Sequence, residues 1–182
     1  MRKPSQTDWL LANRYGPAQG NRAQCGMDQW KDLLAYWQAK HVDGRPPSRQ
    51  DIDPAVDMPL LAANLLIADV LPEGYRYRLV GSAVVERHKE EMTGRMAGSS
   101  HFLELVRPQL IENFDAVRDH QKPLLLKTGM SDARDHATAV TLVLPLVAAS
   151  GETEKLLVGV FYDRRFDPVD QIDFMDVSQP SI

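Results

Sequence analysis

Tyr75-Arg76-Tyr77-Arg78-Leu79-Val80-Gly81 is the stretch on which the reading of this chain turns. Tyr75, Tyr77 and Leu79 alternate with Arg76, Arg78 and Val80, the period of two that marks a strand with one apolar face. The run Asn64-Leu65-Leu66-Ile67-Ala68-Asp69-Val70 lies just before it, and Leu71-Pro72-Glu73-Gly74 joins the two. Two strands about a short Gly-containing turn make a hairpin. Gly81 stops the second strand. From Ser82 to Met96 the alternation is lost and the chain reads as short helical pieces ending in Thr93-Gly94-Arg95.

Toward the N-terminus, Arg45-Pro46-Pro47-Ser48-Arg49-Gln50-Asp51-Ile52-Asp53-Pro54 is a stiff connector. Pro46-Pro47 forces extended backbone. Ser48 with Asp51 has the form of a capping box, and Asp53-Pro54 starts another short turn that Met58-Pro59 ends. Further upstream, Asp28 offers an N-cap to a helix from Gln29 to about Lys40. Trp30, Leu33, Leu34 and Trp37 fall at i, i+3, i+4 and i+7, one apolar stripe. That stripe covers the domain's own core or, with two tryptophans in it, meets a second subunit. Residues 1–26 mix Pro, Gly and polar residues without a period and are expected to be poorly ordered.

Toward the C-terminus, Pro108 sits inside a helical stretch. It splits a short piece near 101–106 from a helix with Pro108 in its first turn, whose Leu110, Phe114 and Val117 form a buried stripe. Gln121-Lys122-Pro123 closes it. Leu124–Thr128 is a short strand, Gly129–Asp135 a polar turn, and Ala139–Leu146 a strand with Pro145 late enough for an edge or bulge. Ser150-Gly151-Glu152 turns into the strand Leu156–Tyr162. These last two strands are apolar on both faces, so both faces need cover, and the tryptophan helix is the second cover. The tail from 166 to 182 reads as a loose end. The fold class is therefore α+β: a five-stranded antiparallel sheet whose halves flank a helical crossover, led by an amphipathic helix.

At 182 residues the chain suits one domain with a real core. Twenty-one Lys+Arg against 25 Asp+Glu leave a net charge of −4, which argues against a general nucleic-acid or anionic-membrane surface. Cys25 is the only cysteine, which excludes a disulfide within the chain and fits a reducing compartment. No apolar run approaches the ~20 residues that span a bilayer, and the N-terminus lacks the apolar core of a secretory signal. A cytoplasmic location is expected.

The order of elements is the PAS order, and particular residues sharpen the likeness. The chain resembles the single-domain PAS-type family common in alphaproteobacteria over roughly residues 28–163. The resemblance rests on Tyr36-Trp37, the connector from Arg45 to Pro54, Tyr75-Arg76-Tyr77-Arg78-Leu79-Val80-Gly81-Ser82, Thr93-Gly94-Arg95, Pro123 and Leu144-Pro145-Leu146. It implies residues 27–165 as a PAS-like sensor or interaction domain without intrinsic catalysis. His88-Lys89-Glu90-Glu91-Met92 departs from the family, many of whose members carry a Gly and an acidic residue before Thr-Gly-Arg; a differently shaped pocket mouth is expected there.

Tyr75, Tyr77, Phe102, Leu110, Phe114 and Leu142 are the candidate lining of a pocket between sheet and helices. Trp30, Leu33, Leu34 and Trp37 are the candidate dimer or partner surface. His88, His101, His120 and His136 are each conceivable haem ligands, but a lone histidine without a second feature is more often structural. Flavin photochemistry needs a cysteine in the central helices, and Cys25 lies ahead of the domain. Asp132, Asp135 and His136 form a D-x-x-D-H cluster in an expected turn, where solvated side chains are the default over a metal. Arg76 and Arg78 are read as outward arginines that cover the leading helix or pair with acids such as Asp69, in preference to an anion-reading face, since no Gly-rich loop accompanies them. No catalytic residue, metal or cofactor is expected. The expected partners are an unidentified small molecule, a protein and a second copy of the chain. The alternatives are a pure interaction module with a packed core, or a small enzyme on an α+β cavity.

Overall fold

The computed structural model describes residues 28–99, 107–131, 136–163 and 175–176. Helix α1 (Gln29–Ala39) opens it. Asp28 stands at its N-cap, but the side chain makes no capping bond and pairs instead with Lys31 at 2.6 Å. The connector behaves as its sequence says. Ser48 and Asp51 close both bonds of a capping box on a one-turn 3₁₀ helix (Arg49–Asp51), and Asp53 caps the short α2 (Pro54–Asp57). Another 3₁₀ turn (Ala62–Asn64) leads into the hairpin of β1 (Leu65–Leu71) and β2 (Gly74–Val80).

Helix α3 (Ser82–His88) follows. Residues 93–97 then lie along the outer edge of β2, held by Tyr77 N–H to Arg95 O, Gly94 N–H to Tyr77 O and Ala97 N–H to Tyr75 O. An edge covered in this way cannot template pairing with another chain. Helix α4 (Arg107–His120) carries Pro108 in its first turn, as expected. Strands β3 (Leu124–Ser131), β4 (His136–Val147) and β5 (Thr153–Asp163) complete the main sheet. The expected turn at Gly129–Asp135 is partly strand, because pairing across the hairpin draws Gly129, Met130 and Ser131 into the ladder with Thr138, Ala137 and His136.

The sheet is antiparallel throughout, in the order β2-β1-β5-β4-β3-β6. The five expected strands are joined by a sixth of two residues, β6 (Met175–Asp176), which pairs with Leu125 and Leu124. That pair lies in the segment read as a loose tail; the rest of the tail, like residues 1–26, falls outside the described residues. Pro145 sits beyond Val143, the last residue of β4 paired with β3, so its missing N–H costs no bond on that side.

Both faces of the sheet are covered, as the two-sided apolar strands require. One face carries α1, the connector and α2 over Leu65, Ile67, Leu142, Leu144 and Leu157. The other, the crossover face, carries α3, the 92–97 segment and α4 over Leu66, Ala68, Tyr75, Tyr77, Val143, Leu156 and Val158. Among the described residues no helix is long and apolar enough to cross a membrane.

Candidate functional site

The crossover face divides into a filled half and a half-buried one. In the filled half, Tyr75 and Phe114 meet edge to face at 5.1 Å between ring centroids, both almost wholly buried with Tyr77, Met92 and Val117. The Tyr75 hydroxyl donates to Asp115 Oδ1 at 2.6 Å and accepts from Arg118 Nη1 at 3.3 Å. Burial, then the Asp115 carboxylate, raise the pKa of that hydroxyl, and burial alone raises that of Tyr77. Both phenols are neutral. This half is packed core tied to α4.

Strand β5 carries the same face on to Val160 and Tyr162, since 156, 158, 160 and 162 alternate onto one side. Across the ladder, Tyr162 stands beside Ala139 and Val160 beside Thr141; β3 adds Leu126 opposite Thr141. Val160, Thr141 and Tyr162 are only half-buried, as are Leu110 and Ile111 on α4. His88 reaches this bed from above. It lies four residues after the buried Val84 on α3, on the same side of that helix, and its Nε2 is 3.4 Å from the Tyr162 hydroxyl. Burial, then the Arg87 charge, lower the His88 pKa, while Glu90 opposes them. Burial pushes Tyr162 up to about 12, against the influence of Arg87. The pair is therefore neutral near pH 7, and either group can donate or accept.

Of the pocket residues expected from the sequence, Tyr75, Tyr77 and Phe114 come together as core, and Leu110 borders the half-buried bed. Phe102 lies outside the described residues. Leu142 is a correction: it is fully buried on the opposite face, beneath α1. In a strand apolar on both sides, periodicity cannot say which residues face which layer. Leu33 and Trp37 are likewise corrected as interface residues, for both are buried against the chain's own sheet, and the Trp37 Nε1–H donates to Pro145 O at 2.9 Å. Trp30 and Leu34 are partly buried on the flank of the same core.

Tyr162 and the role of His88 beside it were missed, because the period-two pattern places Tyr162 on a strand but says nothing of what α3 brings to it. Arg78 and Asp69 meet as expected, at 2.5 Å, with Lys155 on the other carboxylate oxygen at 2.7 Å. Arg76 pairs instead with Glu73. Among the histidines weighed for haem, His120 is exposed at the end of α4, and His101 lies outside the described residues. So do Asp132 and Asp135 of the D-x-x-D-H cluster. Among the described residues no three His, Cys, Asp or Glu side chains are grouped to hold a metal.

Two grooves lie away from the half-buried bed. One of about 430 Å³ opens beside the β4–β5 turn between Pro72, Arg118 and Ser150, and one of about 370 Å³ lies between the Pro46-Pro47 connector and Val147–Ala149. Arg118, the cation of the first, is already paired with Asp115 and Asp119.

The fold is similar to the PAS domain of Bordetella pertussis BvgS, with 14% identity, a TM-score of 0.44, and 56% of this chain and 79% of that one covered. It is similar also to a fungal LOV domain photoreceptor, at 16% identity and a TM-score of 0.42, over 75% of this chain and 91% of that one. An RNA-binding light-oxygen-voltage receptor gives 15% identity and a TM-score of 0.43; the match takes in 66% of this chain but only 36% of that longer one. No curated protein matches the sequence. The PAS domain family, one of sensory signalling modules, matches residues 27–161, from just before α1 into β5, and to that family this chain belongs.

Proposed function

We propose that this domain is a sensor that holds a small molecule on the crossover face and passes the change on by protein contact, without a chemical step. The observation that carries the reading is the half-buried bed of Val160, Thr141, Leu110 and Ile111 with the His88–Tyr162 pair at its margin. An apolar floor with few polar groups is what a small-molecule site supplies. The pair is suited to recognition, since burial holds both groups in their neutral forms, in which each can donate or accept. The output surface is the flank of α1 at Trp30 and Leu34, the part of the apolar stripe that the chain's own core leaves half-covered.

Native mass spectrometry of the purified full chain, with an absorption spectrum, tests the reading. A bound organic molecule of defined mass that is released on unfolding is expected, without a Soret band, flavin absorbance or stoichiometric metal. Binding neither a co-purified nor an added small molecule would leave only the interaction-module alternative.

A further inference from the structure

We infer that the crossover-face site selects uncharged molecules carrying a carbonyl or hydroxyl group on an apolar body, with Tyr162 and His88 reading the polar end. This rests on the ligand reading above and adds the chemical class. Tyr162 and His88, 74 residues apart in sequence, meet at 3.4 Å beside a face that Leu126, Ala139, Thr141 and Val160 build. Such a meeting places a polar junction next to the half-buried surface.

The chemistry of the pair is two-way. With the Tyr162 hydroxyl donating to Nε2, its oxygen keeps lone pairs for a ligand hydroxyl. With the imidazole in the other tautomer, Nε2–H donates to the Tyr162 oxygen and frees the phenol proton for a ligand carbonyl. Neither arrangement requires a change of net charge. A carboxylate is served poorly, because it would lose its hydration on an apolar floor. Among the described charged groups, Arg87 lowers the pKa of both members of the pair, and Glu90 opposes it at His88. The low His88 and high Tyr162 pKa values agree, since burial keeps both groups neutral.

The test uses the full chain at pH 8, where carboxylates are ionised and His88 is neutral. Matched probes of six and ten carbons (the methyl ketone, the primary alcohol and the carboxylate) are titrated and followed by amide chemical shifts. The expected result is that ketone and alcohol bind at least about tenfold more tightly than the carboxylate of the same length. Tyr162→Phe, which keeps the ring and its packing, should weaken the ketone by about tenfold and leave the carboxylate unchanged. His88→Gln, which keeps a donor and an acceptor, should restore most of what His88→Leu loses.

A carboxylate that binds as tightly as the ketone overturns the inference while leaving the ligand reading in place. So does a Tyr162→Phe variant, folded by circular dichroism, that keeps the wild-type preference. If no probe of either length binds the wild type, the ligand reading falls and takes the inference with it.

Discussion

Trp37 does two jobs with one side chain. On α1 it is 3% exposed against the sheet, and its Nε1–H satisfies the carbonyl of Pro145 in β4. His41 stacks edge-on against it and bonds the Trp37 carbonyl, closing the end of the helix. Trp37→Ala should therefore cost about 3–5 kcal/mol in a denaturation experiment; a change within about 0.5 kcal/mol would show that the ring is not core. Asp69 makes a second prediction. It is 7% exposed and holds Lys155 and Arg78. Burial alone would raise its pKa, yet the hydrogen bonds and charges of Lys155 and Arg78 outweigh that and hold it below the usual carboxylate value. A folded pKa below the unfolded one means that the unfolded chain binds the extra proton as pH falls. The stabilisation is thus complete above the unfolded value near 3.9 and is lost as pH drops toward the lower folded value. Asp69→Asn should cost about 2 kcal/mol at pH 7 and make the urea midpoint less sensitive to pH between about 5 and 2. An unchanged acid profile would show that the triad contributes nothing.

At the scale of elements, the distance between α1 and the sheet is set by a missing side chain. A Cβ on Gly159 would stand 2.5 Å from Leu33 Cδ2 and 2.8 Å from Phe161 Cε2. Gly159→Ala should push α1 outward and cost about 1–3 kcal/mol, read as a lower thermal midpoint with loss of near-ultraviolet tryptophan signal; an unchanged midpoint would mean that Leu33 yields freely. Gly81 acts similarly at the end of β2, where any side chain would strike the Ala63 carbonyl. Elsewhere elements are joined by polar bonds. The Tyr36 hydroxyl donates to Asp57 and accepts from Asp53 N–H, tying α1 to α2. Tyr75 with Arg118, Thr153 with the Arg118 carbonyl, and Gln121 with Gly151 tie the end of α4 to β2, β5 and the β4–β5 turn. The opposite half of α4 borders the half-buried bed. A guest there would press on one end of a helix whose other end is fixed.

For the whole molecule, the layers leave α1 with a buried stripe and a half-covered flank. We propose that two copies meet through Trp30 and Leu34, since two-fold pairing is the commonest assembly of a small chain. Sedimentation at tens of micromolar (roughly −6 to −7 kcal/mol of association) should find a dimer. The double variant Trp30→Glu with Leu34→Glu should find a folded monomer. A wild type that stays monomeric sinks the idea, as does a variant that dimerises equally well. Deleting α1 would be no test, because Leu33, Tyr36 and Trp37 are part of the sheet's own core.

Legible along the chain were the order of elements, the hairpin of β1 and β2, the capping box at Ser48 and Asp51, and the need for two covering layers. Each of these is local, because alternation, capping residues and Gly or Pro act within a few positions of themselves. One-sided patterns fix which way Tyr75 and Tyr77 point, but the half of the face they share with Phe114, expected as pocket lining, is packed core. Packing across the sheet settles which way residues point in strands apolar on both sides: Leu142 goes under α1, Val143 under α4, and no periodicity distinguishes them. The same holds for the site. Tyr162 is half-buried and Tyr75 filled in although both are strand tyrosines on the crossover face, and His88 meets Tyr162 only because α3 returns over the end of β5. A contact between residues 74 positions apart is a property of packing, which no local pattern encodes.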